Sequence, residues 1–406
     1  MDKRVLNSPV EVADRIESLD VLRGFAVLGI LVMNIQLFAM PGVAYFNPTA
    51  YGDLNGINFF IWLISYMFIN QKFFSIFSLL FGAGICLFAD RAEARSGRSA
   101  GLHYRRMFWL LVFGLMHAYL LWTGDILVAY ALCGSVIFLL RNRSPRALVV
   151  IGLAAFSVVS VLFIAIGMTI EFIPDEDVAE IAAVWAPDAA KIDAELLAYR
   201  GGWFTQQTQR STDTLAMHTI GLPIGLFWLS AGIMLMGMAF YRWHILSAVR
   251  SDLFYCWLAL VGFGVGMLVV AAGAWWNFAA GWNWESSMFL GWQFNYWGSL
   301  PMAFGYIGLV MLAVRRGWLS GLQTRLAAAG RMAFTNYIAQ TLICTTIFYG
   351  HGFGLFGRID RWQQAIVVIA VWGLQLWWSP LLMRRFRYGP LEWSWRALTY
   401  WRIPGR

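Results

Sequence analysis

The chain has 406 residues, of which 60% are hydrophobic and only 13% are charged. Soluble domains usually carry about 25% charged and about 45–50% apolar residues, so this composition excludes both an ordinary soluble protein and a disordered one. The net charge of +8 does not indicate a nucleic-acid partner, because the basic residues are spread over many loops and form no patch on a soluble domain.

Ten apolar stretches approach the length of about 20 residues that a helix needs to cross a bilayer. The second is too long for one straight span and carries Asn70, Gln71 and Lys72 in its middle, so we expect a long tilted helix or a break there. The third and fourth are short and are joined by a tight turn at 123–125, which predicts a helical hairpin. In chain order the stretches are 21–40, 57–89, 106–123, 126–140, 147–171, 215–241, 253–275, 293–314, 330–349 and 362–383.

The basic residues predict the orientation of these spans, because Lys and Arg collect in the cytoplasmic loops of membrane proteins. Counted loop by loop, 24 of them fall on one side and five on the other, and Lys72 alone lies within a span. This asymmetry predicts that both termini are cytoplasmic and that the number of spans is even. The expected fold is therefore an all-α, polytopic bundle of about ten helices in the cell inner (plasma) membrane.

We expect two regions along the chain. The first, 1–240, holds six spans and an acidic external segment at 172–214, which is predicted to form one or two short surface helices. The second, 241–406, holds the other four spans and a cytoplasmic amphipathic tail. Four tryptophans within 276–292 indicate either an interfacial aromatic belt or a platform for a sugar or lipid.

Ionisable side chains in a span are costly in lipid and are therefore functional candidates. Asp20 and Arg23 share one helix face at the start of the first span. They predict either a structural ion pair or a site where Arg23 presents its planar cation to an anionic cytosolic ligand such as a phosphate. Arg105 and Arg106 begin the third span and are candidates for the same ligand.

Four further polar residues fall at compatible depths in the outer half of the predicted bundle: Asn34, Lys72, His117 and Asp125. Histidine as a residue type can exchange a proton near neutral pH, and a carboxylate such as Asp125 can orient the His117 imidazole for general acid–base catalysis. Asn34 or Lys72 could stabilise an oxyanion. No Gly-x-Ser-x-Gly motif offers a serine nucleophile, so direct transfer, or transfer through His117 itself, is the expected chemistry. The alternative is that these residues only form hydrogen bonds between helices.

Other polar residues point to packing. Asn336 and Gln340 lie one turn apart on one helix face, a placement typical of hydrogen bonds between membrane helices. The four cysteines lie in four separate apolar segments without zinc-ligand spacing, so the sequence predicts no metal site.

Five segments resemble those of YeiB-like bacterial membrane proteins. The first is the opening Ser18-Leu-Asp-Val-Leu-Arg-Gly, which runs on to Asn34. The resemblance covers nearly the whole chain, and the other four segments are Gln71-Lys-Phe-Phe-Ser-Ile-Phe through Gly84, Arg105 through His117 to Gly124-Asp125-Ile-Leu, Gly330–Gln340, and Gly389-Pro-Leu-Glu-Trp.

The resemblance extends to a broader transmembrane acyltransferase superfamily that includes the lysosomal heparan-α-glucosaminide N-acetyltransferase. It implies a core of about ten helices that moves acyl groups from cytosolic acyl-CoA to an acceptor across the membrane. In the lysosomal enzyme a catalytic His follows an Asn at the end of the first span. This chain keeps Asn34 but has no His in 35–56, so only His117, on another span, could take that role.

The leading hypothesis is an acyltransferase-like membrane protein. Acyl-CoA would be a co-substrate, an envelope glycan or lipid would be the acceptor, and no cofactor would be tightly bound. The lipid bilayer is the expected partner, and a homo-oligomer is compatible with the sequence. Two alternatives use the same residues: a transporter or export factor with an intramembrane polar path, and a non-catalytic membrane scaffold.

Overall fold

The structure, a computed structural model, describes residues 16–97 and 99–403, and these contain no β-strand. Basic residues 3, 4, 15, 98 and 406, which entered the orientation argument, lie outside the described residues. The described helices are α1 (Glu17–Ala39), α2 (Val43–Phe46), α3 (Gly56–Phe68), α4 (Lys72–Ser96), α5 (Ala100–Leu120), α6 (Leu127–Ile137), α7 (Pro145–Thr169), α8 (Asp175–Trp185), α9 (Ala189–Arg200), α10 (Trp203–Ala216), α11 (Phe227–Arg242), α12 (Asp252–Ala279), α13 (Trp284–Ser286), α14 (Trp292–Arg316), α15 (Ser320–Arg331), α16 (Ala333–Phe348), α17 (Arg361–Arg385) and α18 (Pro390–Tyr400).

Seven helical stretches in the described part of the chain are long and apolar enough to cross a membrane, which confirms the all-α polytopic bundle. The other three expected spans correspond to α5, α6 and α16, which are shorter or less apolar. The count of ten and the side of the termini therefore stay predictions. The seven stretches are Glu17–Ala39, Gly56–Arg95, Pro145–Phe172, Trp203–Arg242, Asp252–Ala279, Trp284–Arg316 and Arg361–Arg385.

The long second stretch is broken where its polar residues fall. Gln71 has φ = +64°, a left-handed conformation that an α-helix cannot contain. Helix α3 therefore ends at Phe68 and α4 begins at Lys72. This break puts the Lys72 side chain at the first turn of a new helix.

The acidic segment at 172–214, expected to be external, holds more helices than predicted. It holds three helices, α8, α9 and α10, where the sequence predicted one or two. Asp188 caps α9 by accepting the Lys191 backbone N–H at 2.8 Å, and the Gly201–Gly202 pair separates α9 from α10. Helix α10 then runs through a π-helical stretch, Met217–Leu226, directly into α11.

Helix α1 is the central helix, and it approaches α15 closely. A Cβ on Gly24 would overlap the backbone carbonyl of Leu326, and one on Gly330 would overlap that of Asp20, so only small residues permit this crossing. The apolar window of α1 is 72% buried, whereas those of α7, α12 and α17 are 22% buried. The last three helices therefore present their apolar faces to lipid.

The two ends of the bundle differ in character. The start of α1, the end of α4, the start of α5 and helix α18 meet at one end, where Trp395 Nε1 donates to the Arg106 carbonyl at 2.9 Å. At the other end Gly357 N donates to the Ala39 carbonyl at 2.7 Å. There the buried Arg361 binds the carbonyls of Pro48, Tyr51 and Asp53.

Candidate functional site

The α5–α6 hairpin brings His117 and Asp125 into direct contact. His117 lies in the last turn of α5, and Asp125 lies in the turn before α6. One carboxylate oxygen of Asp125 is 2.7 Å from His117 Nδ1, and the other accepts the Val128 backbone N–H at 2.8 Å. The side chains are 1% and 0% exposed. The backbone at the start of α6 therefore fixes the position of the Asp125 carboxylate, and the carboxylate fixes the orientation of the His117 imidazole.

The second imidazole nitrogen has a partner that the sequence did not indicate. His117 Nε2 is 2.9 Å from the hydroxyl oxygen of Thr341, which is fully buried on α16. The result is a linear array of carboxylate, imidazole and hydroxyl. The only hint in the sequence is that Thr341 directly follows the polar Gln340 on the same helix.

The other two members of the predicted cluster do not join this pair. Lys72 Nζ donates to the Tyr66 carbonyl and to Asn295 on α14, because the break before α4 turns this side chain toward α14. Asn34 is buried on α1, but it has no hydrogen bond to His117 or Asp125 within the described ranges. Of the expected four-residue cluster, the structure thus shows the contact between His117 and Asp125, and the catalytic roles of the four residues stay predictions.

A cavity of about 290 Å³ lies between α1, α4, α5, α6, α15, α16 and α18. On α4 its lining runs from Phe77 to Arg95, which is about 27 Å of helix at 1.5 Å per residue. Two carboxylates, Asp20 and Glu392, lie among its basic residues. The six arginines that line it are Arg23, Arg91, Arg95, Arg106, Arg331 and Arg396.

The opposite part of the cavity is apolar and comes close to the Asp125–His117 pair, although neither residue is part of its lining. Ile126, next to Asp125, belongs to its lining, as do Tyr130 and Tyr337. The Tyr337 ring lies 5.2 Å from the imidazole ring of His117, centroid to centroid, and its hydroxyl donates weakly to the Gly124 carbonyl at 3.4 Å. Tyr337 thus stands between the cavity and the pair.

The arginines proposed from the sequence divide into two groups. Arg23 and Arg106 line the cavity, and Arg23 also pairs with Asp20 at 2.8 Å. Arg106 packs against the Trp395 ring at 4.5 Å. Arg105 is not part of the lining, because adjacent residues of a helix lie about 100° apart around its axis. It donates instead to the Thr399 carbonyl of α18, and its expected role in ligand binding stays a prediction.

Helix α18 closes one side of the cavity and is held there by Glu392. The carboxylate accepts the backbone N–H groups of Phe334 and Thr335 and the Thr335 hydroxyl, at 2.8, 3.1 and 2.6 Å. It therefore caps the N-terminus of α16 from another helix. Burial raises the pKa of Glu392, and the hydrogen bonds from Thr335 partly oppose that rise.

Asn336 and Gln340 connect α16 to its neighbours. Asn336 donates to the Ala329 carbonyl and to Ser379 of α17. Gln340 donates to the Val27 carbonyl of α1 and to Gln375 of α17. These bonds fix the rotation of α16 about its axis, and that rotation is what aims Thr341 at His117.

Two further expectations concern the tryptophan-rich segment and metals. Trp282 is buried against Trp185 of α8, whose indole N–H donates to the Trp282 carbonyl, so its ring is not an open platform. Among residues 16–97 and 99–403, no group of three or more His, Cys, Asp or Glu side chains is close enough to hold a metal ion.

Comparisons with known proteins agree on one family. A family described as "Protein of unknown function (DUF418)" matches residues 240–402. The uncharacterized protein YxaH of Bacillus subtilis is 32% identical over 97% of this chain and 96% of its own length. YeiB of Escherichia coli, likewise uncharacterized, is 32% identical over 95% of this chain and 96% of its own length. The chain belongs to the YeiB-like DUF418 family.

A third relative is an uncharacterized 39.9 kDa protein from the amylase 3′ region of Bacillus acidopullulyticus. It is 28% identical over 97% of this chain and 96% of its own length. No solved structure matches the chain. The DUF418 match covers α12 to α18 and so includes Tyr337 and Thr341, whereas His117 and Asp125 precede it. The candidate site of this DUF418 protein is therefore shared between the matched region and the helices before it.

Proposed function

We propose that this protein is an acyltransferase of the bacterial inner (plasma) membrane. It takes an acyl group from cytosolic acyl-CoA and transfers it to an envelope glycan or lipid. The observation that carries the proposal is the cavity, because arginines line one part of it and its apolar part includes Tyr337, whose ring contacts the His117 imidazole.

The two parts of the cavity suit the two parts of an acyl-CoA molecule. Arginine binds phosphate oxygens through two parallel N–H donors, so the basic part suits the phosphates of coenzyme A. Each CH₂ group of an acyl chain gains about 0.8 kcal/mol on burial, so the aromatic and aliphatic part suits the chain. In this pose the thioester lies in the inner part of the cavity, toward Tyr337 and Ile126.

The pair supplies the acid–base chemistry that acyl transfer needs. His117 acts as the base, and Asp125 holds the imidazole in one tautomer and stabilises its protonated form. Asn34, which is buried on α1, stays the candidate for stabilising an oxyanion. Lys72 is assigned no part in the reaction, because its ammonium is bound to Asn295 and the Tyr66 carbonyl.

Binding of acyl-CoA to the purified protein tests the first half of the proposal. Acetyl-CoA and palmitoyl-CoA are the probes. Arg23→Gln combined with Arg106→Gln should weaken binding at least about 10-fold, since one hydrogen bond to a charged group contributes about 1.5–3 kcal/mol. The matched control is Arg316→Gln, which removes an arginine that pairs with Asp252 outside the cavity. If wild type binds neither probe, the proposal is wrong, and ion-coupled flux in proteoliposomes would then test the transporter alternative.

Release of the free coenzyme A thiol tests the second half. His117→Gln should lower the rate about 10²–10⁴-fold, the usual contribution of a positioned base. His103→Gln is a matched control, because His103 is also buried on α5 and bonds to the Gly134 carbonyl of α6 at 3.0 Å. Equal losses in the two variants would show that His117 only supports the hairpin.

A further inference from the structure

Both nitrogens of the His117 imidazole are already occupied in the structure. Nδ1 is bound to Asp125 at 2.7 Å and Nε2 to the Thr341 hydroxyl at 2.9 Å. An imidazole with its N–H held by a carboxylate has one lone pair left, on the other nitrogen. That lone pair points at Thr341, so the group that His117 can activate directly is this hydroxyl.

The order of the three groups is that of an activated nucleophile. A hydroxyl within 2.6–3.2 Å of a base, with the base oriented by a third group, is the general geometry of a hydroxyl that forms covalent intermediates. Thr341, His117 and Asp125 satisfy both distances. All three side chains are buried, and water is therefore kept away from an ester formed there.

We propose that Thr341 is the nucleophile that carries the acyl group between donor and acceptor. This inference rests on the proposed function, and it replaces direct transfer by two half-reactions. It also makes acylation of His117 itself unnecessary, because its available nitrogen serves as the base for Thr341.

In the first half-reaction the Thr341 Oγ attacks the thioester carbonyl carbon, and an oxygen–carbon bond forms. The Oγ proton moves to His117 Nε2, the carbon–sulfur bond breaks, and the sulfur leaves as the thiol after taking that proton. In the second, a hydroxyl oxygen of the acceptor attacks the carbonyl carbon of the Thr341 ester, and the bond between that carbon and the Thr341 Oγ breaks. The proton of the acceptor hydroxyl passes through Nε2 to the Thr341 Oγ, which is regenerated as the alcohol.

Tyr337 connects this array to the cavity. It precedes Thr341 by one turn on α16, lines the cavity, and contacts the His117 ring. Its hydroxyl donates to the Gly124 carbonyl at 3.4 Å and also bonds to the backbone N–H of Ile126. A rotation of the side chain that breaks these two bonds joins the inner part of the cavity to the Thr341 hydroxyl.

Trapping the ester on the full-length protein tests the inference. The protein in detergent is incubated with acyl-labelled acetyl-CoA or palmitoyl-CoA without acceptor, quenched in acid, and analysed by peptide mass spectrometry. Wild type and Thr341→Ser should carry label at position 341 that alkaline hydroxylamine removes. Thr341→Val should lose at least 90% of the label while still binding the probe.

Thr345→Val is the matched control. Thr345 is buried one turn further along α16, and its hydroxyl bonds to the Thr341 carbonyl of its own helix at 2.8 Å, so this variant should label like wild type. If Thr341→Val does not fold, labelling of the Thr341→Ser protein at position 341 still supports the inference.

Two results separate failure of the inference from failure of the proposed function. If wild type releases coenzyme A thiol but position 341 stays unlabelled, or His117 is labelled instead, Thr341 is not the nucleophile and the acyltransferase proposal stands. If wild type neither binds acyl-CoA nor releases thiol, the proposed function fails and the inference fails with it.

Discussion

Asp125→Ala should be among the most destabilising single substitutions in the chain. The carboxylate accepts the Val128 N–H at 2.8 Å and bonds to His117 Nδ1 at 2.7 Å, and the two side chains are 0% and 1% exposed. Each buried donor left without an acceptor costs about 1–3 kcal/mol, and breaking a buried pair costs about 3–5 kcal/mol in all. We expect a loss of about 3–5 kcal/mol in the free energy of unfolding. Asp125→Asn should lose less, because its amide oxygen can still accept one of the two bonds.

The assay is reversible unfolding in mixed detergent micelles, followed by tryptophan fluorescence. Asp90→Asn is the control, since Asp90 pairs with Arg242 where both side chains are about one-third exposed, and such pairs contribute about 0–1 kcal/mol. The double variant His117→Ala/Asp125→Ala should be more stable than the sum of the single losses predicts, by at least about 1 kcal/mol. If Asp125→Ala were no worse than Asp90→Asn, the buried contact described for the hairpin would be refuted.

Three other predictions concern stability and orientation. Burial raises the pKa of Glu195 to about 7, partly opposed by the Gly42 N–H, so the folded protein retains a proton that the unfolded chain loses near pH 4.5. The contribution of Glu195 to stability is therefore full below about pH 4.5 and is lost as the pH rises through 7. Glu195→Gln should flatten the thermal stability profile between pH 5 and 8, and an unchanged slope would contradict this assignment. Gly24→Ala should prevent folding or lower the unfolding temperature sharply, because the added Cβ would overlap the backbone of α15. Gly264→Ala is the control and should unfold like wild type, because no atom lies within 4 Å of its added Cβ. Equal unfolding temperatures for the two variants would count against the close crossing of α1 and α15. A reporter inserted near Asp188 should score external and one fused to the C-terminus cytoplasmic, and an internal score at Asp188 would reverse the orientation.

The parts of the site that the sequence could predict are those close together in the chain. His117 and Asp125 are eight residues apart across a tight turn, so helix geometry alone predicts that they lie at a similar depth in the membrane. Lys72 shows the limit of that reasoning. The rise per residue gives a side chain's depth in the membrane, but not the rotation of its helix, and Lys72 faces α14 instead of the pair. Thr341 lies 224 residues from His117, and only the packing of α16 against α5 makes it a partner.

The arginines of the cavity show the same limit on a larger scale. Charge asymmetry placed most of them at one end of the bundle, but it did not show which of them share a wall. Neighbouring residues such as Arg105 and Arg106 diverge by about 100° around the helix axis, at 3.6 residues per turn. Arg106 lines the cavity, whereas Arg105 donates a hydrogen bond to α18.

The wall of the cavity has a consequence for biosynthesis. Its lining begins at Ile16 in front of α1 and ends at Tyr400 in α18, so nearly the whole chain must be synthesised before the cavity is closed. A truncated or stalled product would leave the arginines on α1, α4 and α5 without the wall that Trp395 and Arg396 supply. A chain that ends before α18 should therefore fail to bind any ligand that needs the whole wall of this cavity.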